Sequence, residues 1–302
     1  MRAAFFVFAP GFWDNEAVHV ALAVGTAVAI VAAVVGVFTV MRGQSFAGES
    51  LGDIGTAGGS AASYIGTGPL GGFVVTDVAA VFLMELIGVQ RVRGRDLATG
   101  VVLGASIGVA ALFLYLDTTQ GSDSNATVTI IFGSIFAISP STIPAVIALG
   151  VLAVGLIALL YRPLLLATVS PEIAAARGIP VRAVGVLYLV ALALAAALAA
   201  ITIGTILSTA LLIGPAAAAL RLTTRPLRAM LVATALGIGA VWVGILLAYD
   251  SYHWPPREHG WPVSFFVVAL VFVFYLLSGL PGLRDRRRAR LLDRAEPGAA
   301  EA

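Results

Sequence analysis

Nine apolar runs, at about 17–41, 46–64, 70–89, 97–116, 143–161, 183–202, 204–221, 229–249 and 263–280, take up most of this chain. A helix crosses the hydrocarbon core of a bilayer with roughly 20 apolar residues. The runs have that length, so the chain reads as all-α, a polytopic membrane bundle of eight or nine transmembrane helices. The second run is the weak one, rich in Gly, Ala and Ser and holding two carboxylates. The stretch 183–221 is nearly continuous and must break near Thr202 to Gly204, because one helix of that length would overshoot the bilayer.

Composition closes the other classes. Charged residues make up 11% of the chain, against roughly 25% in soluble domains, so a water-soluble globule could not cover its own surface. Disorder over most of the length is excluded by the same hydrophobicity. There is no cysteine, hence no disulfide, thiolate zinc site or cysteine nucleophile. All 18 basic residues are arginine. Without lysine the chain has no phosphate-binding loop of the Gly-x-x-x-x-Gly-Lys type, so ATP hydrolysis would belong to a partner. The net charge of +2 gives no reason to expect nucleic acid. Residues 3–10 lead into Trp13 and Glu16 without a clean cleavage site, so they read as an interfacial lead-in rather than a signal peptide.

Arginine position orients the spans, because cytoplasmic loops collect basic residues. Arg42, Arg91, Arg93, Arg95, Arg162, Arg177, Arg182, Arg221, Arg225 and Arg228 all fall in alternate connections, and six more lie between Arg284 and Arg294. The opposite loops, 117–125 and 250–262, carry only Arg257. The N-terminus is therefore expected outside and the C-terminus in the cytoplasm, which an odd number of spans requires. Residues 1–282 form one transmembrane domain. Residues 283–302 form a basic tail of the kind that anionic lipid attracts.

Small residues let helices approach closely in lipid. Gly100, Gly104 and Gly108 follow one another at four-residue spacing and read as such a contact. Carboxylates inside spans say more, since they are costly in hydrocarbon and usually face a protein interior or a water-filled path. Ser45, Glu49 and Asp53 share one helical face. Oxygen ligands on one stripe suit a hard or borderline divalent cation. They equally suit a proton relay, or a hydrated position near the cytoplasmic surface. Asp77 lies mid-span in the third run, and Glu85, two turns on, is placed to pair with an arginine at the inner surface. His19, His253 and His259 lie near the outer face, and none pairs with another at ligand spacing on a helix.

Between the fifth and sixth runs, Ser170 is suited to cap a helix, Pro171 to open it and Glu172 to favour its positive end. Gly178 and Pro180 are suited to end it. The spacing predicts a two-turn helix over about 170–178, either a docking knob for a cytoplasmic partner or a plain helical connector.

Four segments together resemble the metal-type permeases of bacterial ABC importers for zinc, manganese or iron. They are Arg95 to Gly100, Phe132 to Pro140, Tyr161 to Ile179 and Gly204 to Ala219. The resemblance runs through nearly the whole chain. It implies a homodimeric permease in the bacterial plasma membrane and no enzyme activity of its own. Each copy would dock a cytoplasmic ATP-binding subunit through Ser170, Pro171, Glu172, Ala174, Arg177 and Gly178. An extracytoplasmic metal-binding protein would deliver the cargo. No cofactor is implied, only a divalent metal as transported substrate. The family usually shows an Asp and, four residues on, a His followed by Ala in its second span; here Ser45 and Glu49-Ser50 stand in those places. Imidazole suits zinc and carboxylates suit harder ions such as manganese, so this departure weakens a zinc assignment. Glu49 and Asp53, with Ser45 and Asp77, are the candidate metal path. Two other classes stay open: an ion-coupled secondary carrier using the intramembrane carboxylates, and a membrane scaffold without transport.

Overall fold

Each apolar run becomes a helix, and four of the breaks fall at or beside glycines with positive φ, Gly43, Gly66, Gly178 and Gly204. The computed structural model describes residues 11–86, 92–120, 126–133, 135–252, 254 and 260–280. The long helices are α1 (Glu16–Met41), α2 (Ser45–Tyr64), α3 (Pro69–Leu86) and α4 (Val92–Gln120). A seven-residue helix, α5 (Ala126–Phe132), precedes α6 (Ile143–Val169), and a six-residue helix, α7 (Pro171–Ala176), follows it. Then come α8 (Val181–Ile203), α9 (Thr205–Leu222), α10 (Pro226–Ser251) and α11 (Val263–Ser278).

Among the described residues, seven helices are long and apolar enough to cross a membrane: α1, α3, α4, α6, α8, α9 and α10. α2 falls short through its polar content and α11 through its length of 16 residues. Both nevertheless pack in the bundle and bury residues against it. The nine long helices occupy the nine expected runs.

Contacts sort the helix ends into two groups. At one end Arg42 hydrogen-bonds Thr168, Arg182 pairs with Glu85, and Arg221 meets Tyr275. At the other, Phe12 packs on Tyr249 and Ser264 donates to the Phe132 carbonyl. Successive long helices therefore run in alternating directions, and the described arginine-bearing turns gather at one end.

α1 and α8 are the most buried helices and α4 the least. The centre of α8 explains its position. Residues 191–200, seven of them alanine and three leucine, are all buried, so neighbours approach the helix from every side. In lipid such contacts hold by van der Waals packing rather than by exclusion of water. The α8–α9 break falls at Gly204, whose φ of 93° is open to glycine and strained for other residues. Gly133, at φ 73°, lies against the Ile203–Gly204 backbone. Two of the segments that carry the family resemblance thus meet at one point.

Three expectations change. The α4 glycines, Gly100, Gly104 and Gly108, have open space where a side chain would stand, so they make no close contact among the described residues. Close approaches are made instead by other glycines, among them Gly36 against α9, and Gly55, Gly58, Gly59 and Gly72 between α2 and α3. α6 does not stop near Tyr161 but runs through Pro163 to Val169, because Leu164 and Ala167 are buried in the next turns. Asp117, expected in an outer loop, sits buried in the last turns of α4. The basic tail, His253 and His259 lie outside the described residues.

Candidate functional site

The candidate carboxylates lie on α2 and α3, which pack antiparallel with almost nothing between them. Gly58 of α2 faces the Gly72 backbone, and Gly59 lies under the Phe73 ring. The opposite arrangement on α2 is a stripe turned away from this packing. Gly48 and Gly52 approach Leu212 and Ser208 of α9. The residues that follow each of them, Glu49 and Asp53, lie about 100° further round the helix. Glu49 is exposed, Asp53 and Ser45 are half-buried, and Phe46 on the same side is 43% exposed. Ser45 opens α2, so the stripe begins at the end of the bundle where the described arginines gather.

Asp77 takes a different position. It is fully buried on α3, with its carboxylate against the Gly55 backbone. Neither carboxylate oxygen has a hydrogen-bond partner among the described residues. Asp53 follows Glu49 by one turn of α2, and Asp77 lies against Gly55, two residues on from Asp53. The three carboxylates thus form a series from the exposed stripe inward. Among the described residues no three His, Asp or Glu side chains gather into a group that would hold a metal ion. One copy of the chain brings the ladder Ser45, Glu49, Asp53 together and sets Asp77 behind it, without closing a coordination sphere.

The 170–178 segment folds as its residues dictate. Ser170 is extended and accepts from the Ile173 N–H, Pro171 opens α7, and the Ser170 hydroxyl also donates to Glu172. The helix is shorter than the two turns expected. It ends in two bonds typical of a left-handed glycine stop: Gly178 N–H to the Ala175 carbonyl at 2.9 Å and Ile179 N–H to the Ala174 carbonyl at 3.1 Å. Gly178 has φ 78°. Only Ala174 is buried; Pro171, Glu172, Arg177 and Gly178 are exposed, as is Ile173 at 51%. α7 is therefore a capped knob anchored by one small residue.

A polar network that sequence reasoning missed adjoins this knob. The Arg42 guanidinium lies over the Tyr188 ring, 5.1 Å from its centre, and donates to Gln44 and Thr168, each at 3.3 Å. The Tyr188 hydroxyl donates to Thr39 at 2.9 Å in the buried core. Its members come from three separate stretches of the chain, residues 39–44, Thr168 and Tyr188, and no spacing rule connects them. At the far end, His19 is engaged with the Trp13 carbonyl at 2.7 Å.

Comparison with known proteins agrees with this architecture. The model of the ABC 3 transport family matches residues 14–278. The chain is 30% identical over 232 residues to the manganese transport system membrane protein MntC of Halalkalibacterium halodurans, covering 76% of this chain and 78% of that one. It is 27% identical over 285 residues to the manganese import system permease protein ScaB of Streptococcus parasanguinis, covering 94% and 98%. Its fold is similar to that of a chain in the structure of PsaBC from Streptococcus pneumoniae in complex with a Fab, with TM-score 0.76, 24% identity and coverage of 92% and 95%. A family model spanning the bundle from α1 to α11 leaves one reading of the fold: the chain is a multi-pass helical membrane protein that belongs to the ABC 3 transport family.

Proposed function

We propose that this permease imports divalent manganese as a homodimer docked on separate cytoplasmic ATPase subunits. An extracytoplasmic metal-binding protein supplies the ion. The observation that carries the reading is the position of Glu49 and Asp53 on a stripe of α2 that one copy of the chain leaves partly uncovered. Ionised side chains facing acyl chains are costly, and such residues usually line a hydrated route. A second copy against this stripe would supply a matching set of carboxylates and enclose the path. The donors are oxygens, which suit manganese better than zinc. The names of the relatives point the same way. In this reading α2 and α11 also cross the bilayer, giving nine spans, with the arginine-bearing end in the cytoplasm.

ATP binding on the partner would close the ATPases against α7 and alternate the exposure of the path. Glu49 and Asp53 draw the ion in and shed its water, while Asp77 stands behind them as a further oxygen donor. An ion-coupled carrier uses the same carboxylates but gives the exposed α7 knob nothing to do. The test is uptake of manganese by cells carrying Glu49→Gln or Asp53→Asn at equal expression. Loss of uptake supports the path; wild-type uptake by both variants removes it.

A further inference from the structure

We propose that two polar clamps, one on each side of α7, carry its displacement to the α2–α3 pair, with Arg42, Arg182 and Glu85 as positioning residues. The inference rests on the reading of α7 as the ATPase-docking helix. On the incoming side, Thr168 lies two residues before the Ser170 cap and binds Arg42, which also holds Gln44 at the start of α2. On the outgoing side, Arg182 lies at the start of α8 and pairs with Glu85 at the end of α3. The Gly178 stop and the Ile179–Ala174 bond fix the turn between α7 and Arg182. Both flanks of the knob are thereby tied to one end of α2 and α3.

The two tied helices move as one body because their backbones touch at Gly58 and Gly72, with no side-chain cushion between them. Glu85 stands two turns from Asp77, about 12 Å along α3. Gln44 stands about 13 Å from Asp53 along α2. A shift of either clamp is therefore a shift of the carboxylate ladder. Between the clamps lies a cavity of about 400 Å³, lined by Arg42, Gln44, Glu85, Thr99 and Arg182 among others. It leaves these polar ends room to move. Arg182 is 71% exposed, and exposed ion pairs add little to stability, so stabilisation alone is a weak reason for this one.

The experiment uses the full permease reconstituted with its ATPase, reading ATP hydrolysed and manganese taken up. Arg182→Glu and Glu85→Arg are made singly and together, with Glu85→Gln and Arg42→Gln as milder variants. The single variants are expected to assemble and hydrolyse ATP while uptake per ATP falls roughly fivefold or more, the lower end of coupling between sites. The double swap is expected to regain about the wild-type ratio. Single variants that keep the wild-type ratio overturn the clamp, as does a double swap that assembles and hydrolyses ATP but stays uncoupled. Should a charge reversal not assemble, Glu85→Gln and Arg42→Gln decide by the same ratio. The wild-type complex tests the underlying reading separately: ATP hydrolysis without manganese uptake overturns the cargo, and failure to bind an ATPase overturns the docking role and the clamp with it.

Discussion

The Asp77 carboxylate rests directly on the backbone of Gly55, so close that a Cβ at Gly55 would collide with both of its oxygens. The glycine is what allows a carboxylate to be buried between α2 and α3. Alanine at Gly55 is therefore expected to force Asp77 or the helix pair apart. Overpacking of this kind costs roughly 1–3 kcal/mol. Gly55→Ala should lower the thermal midpoint in detergent and impair uptake, and Asp77→Asn should impair uptake as well. Normal melting and normal uptake by Gly55→Ala would show that the contact is dispensable.

The glycines divide into two groups with opposite expected responses. Gly58 and Gly72 meet backbone to backbone, so alanine at either should destabilise the bundle. Gly104 faces open space in the helix α4, where alanine instead relieves the entropy cost of glycine, roughly 0.5–1 kcal/mol. Gly104→Ala is expected to melt at or above the wild-type temperature, and Gly58→Ala well below it. The measurement is thermal unfolding of the purified permease. A fall for Gly104→Ala as large as that for Gly58→Ala would place a contact on the α4 face that a single chain does not show.

α7 offers a separate prediction because its caps are local. Removing a serine cap costs typically about 1 kcal/mol of helix stability. A non-glycine residue at the φ of Gly178 costs roughly 1–2 kcal/mol. Ser170→Ala and Gly178→Ala should leave the membrane bundle folded, since only Ala174 of α7 is buried, but loosen the knob. Co-purification with the ATPase should fall in both, most in the double variant. Undiminished co-purification of the double variant would argue that α7 is only a connector.

Most of the fold was legible in the sequence because span length and hydrophobicity are local properties. The nine runs, the break at Gly204 and the Ser170–Gly178 helix all follow from the residues that lie there. The fate of individual glycines was not legible. Gly104 and Gly58 look alike in sequence, and only the packing of α4 and α3 around α2 separates them. The candidate site divides in the same way. The common face of Ser45, Glu49 and Asp53 follows from helical spacing. The burial of Asp77 behind it depends on an α2–α3 crossing that no spacing encodes. The Arg42–Tyr188–Thr39 network was invisible for a related reason: each residue is ordinary within its own run, and Tyr188 reaches the end of α1 from a helix distant in the chain.

Glu49, at the place where the resemblance leads one to expect histidine, gives the sharpest test of the proposed cargo. A carboxylate and an imidazole at the same point of a path rank metals differently, since imidazole favours zinc over manganese. If Glu49 touches the ion in transit, Glu49→His should weaken manganese uptake and strengthen competition by zinc. A shift of roughly tenfold in the ratio corresponds to about 1.4 kcal/mol of changed preference. The measurement is uptake of radioactive manganese against increasing zinc, with Glu49→Gln as the variant that lacks both ligands. Glu49→Gln should lose uptake without changing the ranking. An unchanged ranking for Glu49→His, alongside lost uptake for Glu49→Gln, would place Glu49 near the path as a source of field rather than as a ligand. The exposed position of Glu49 beside half-buried Asp53 favours direct contact, because in the proposed dimer nothing of its own chain would stand between this carboxylate and the ion.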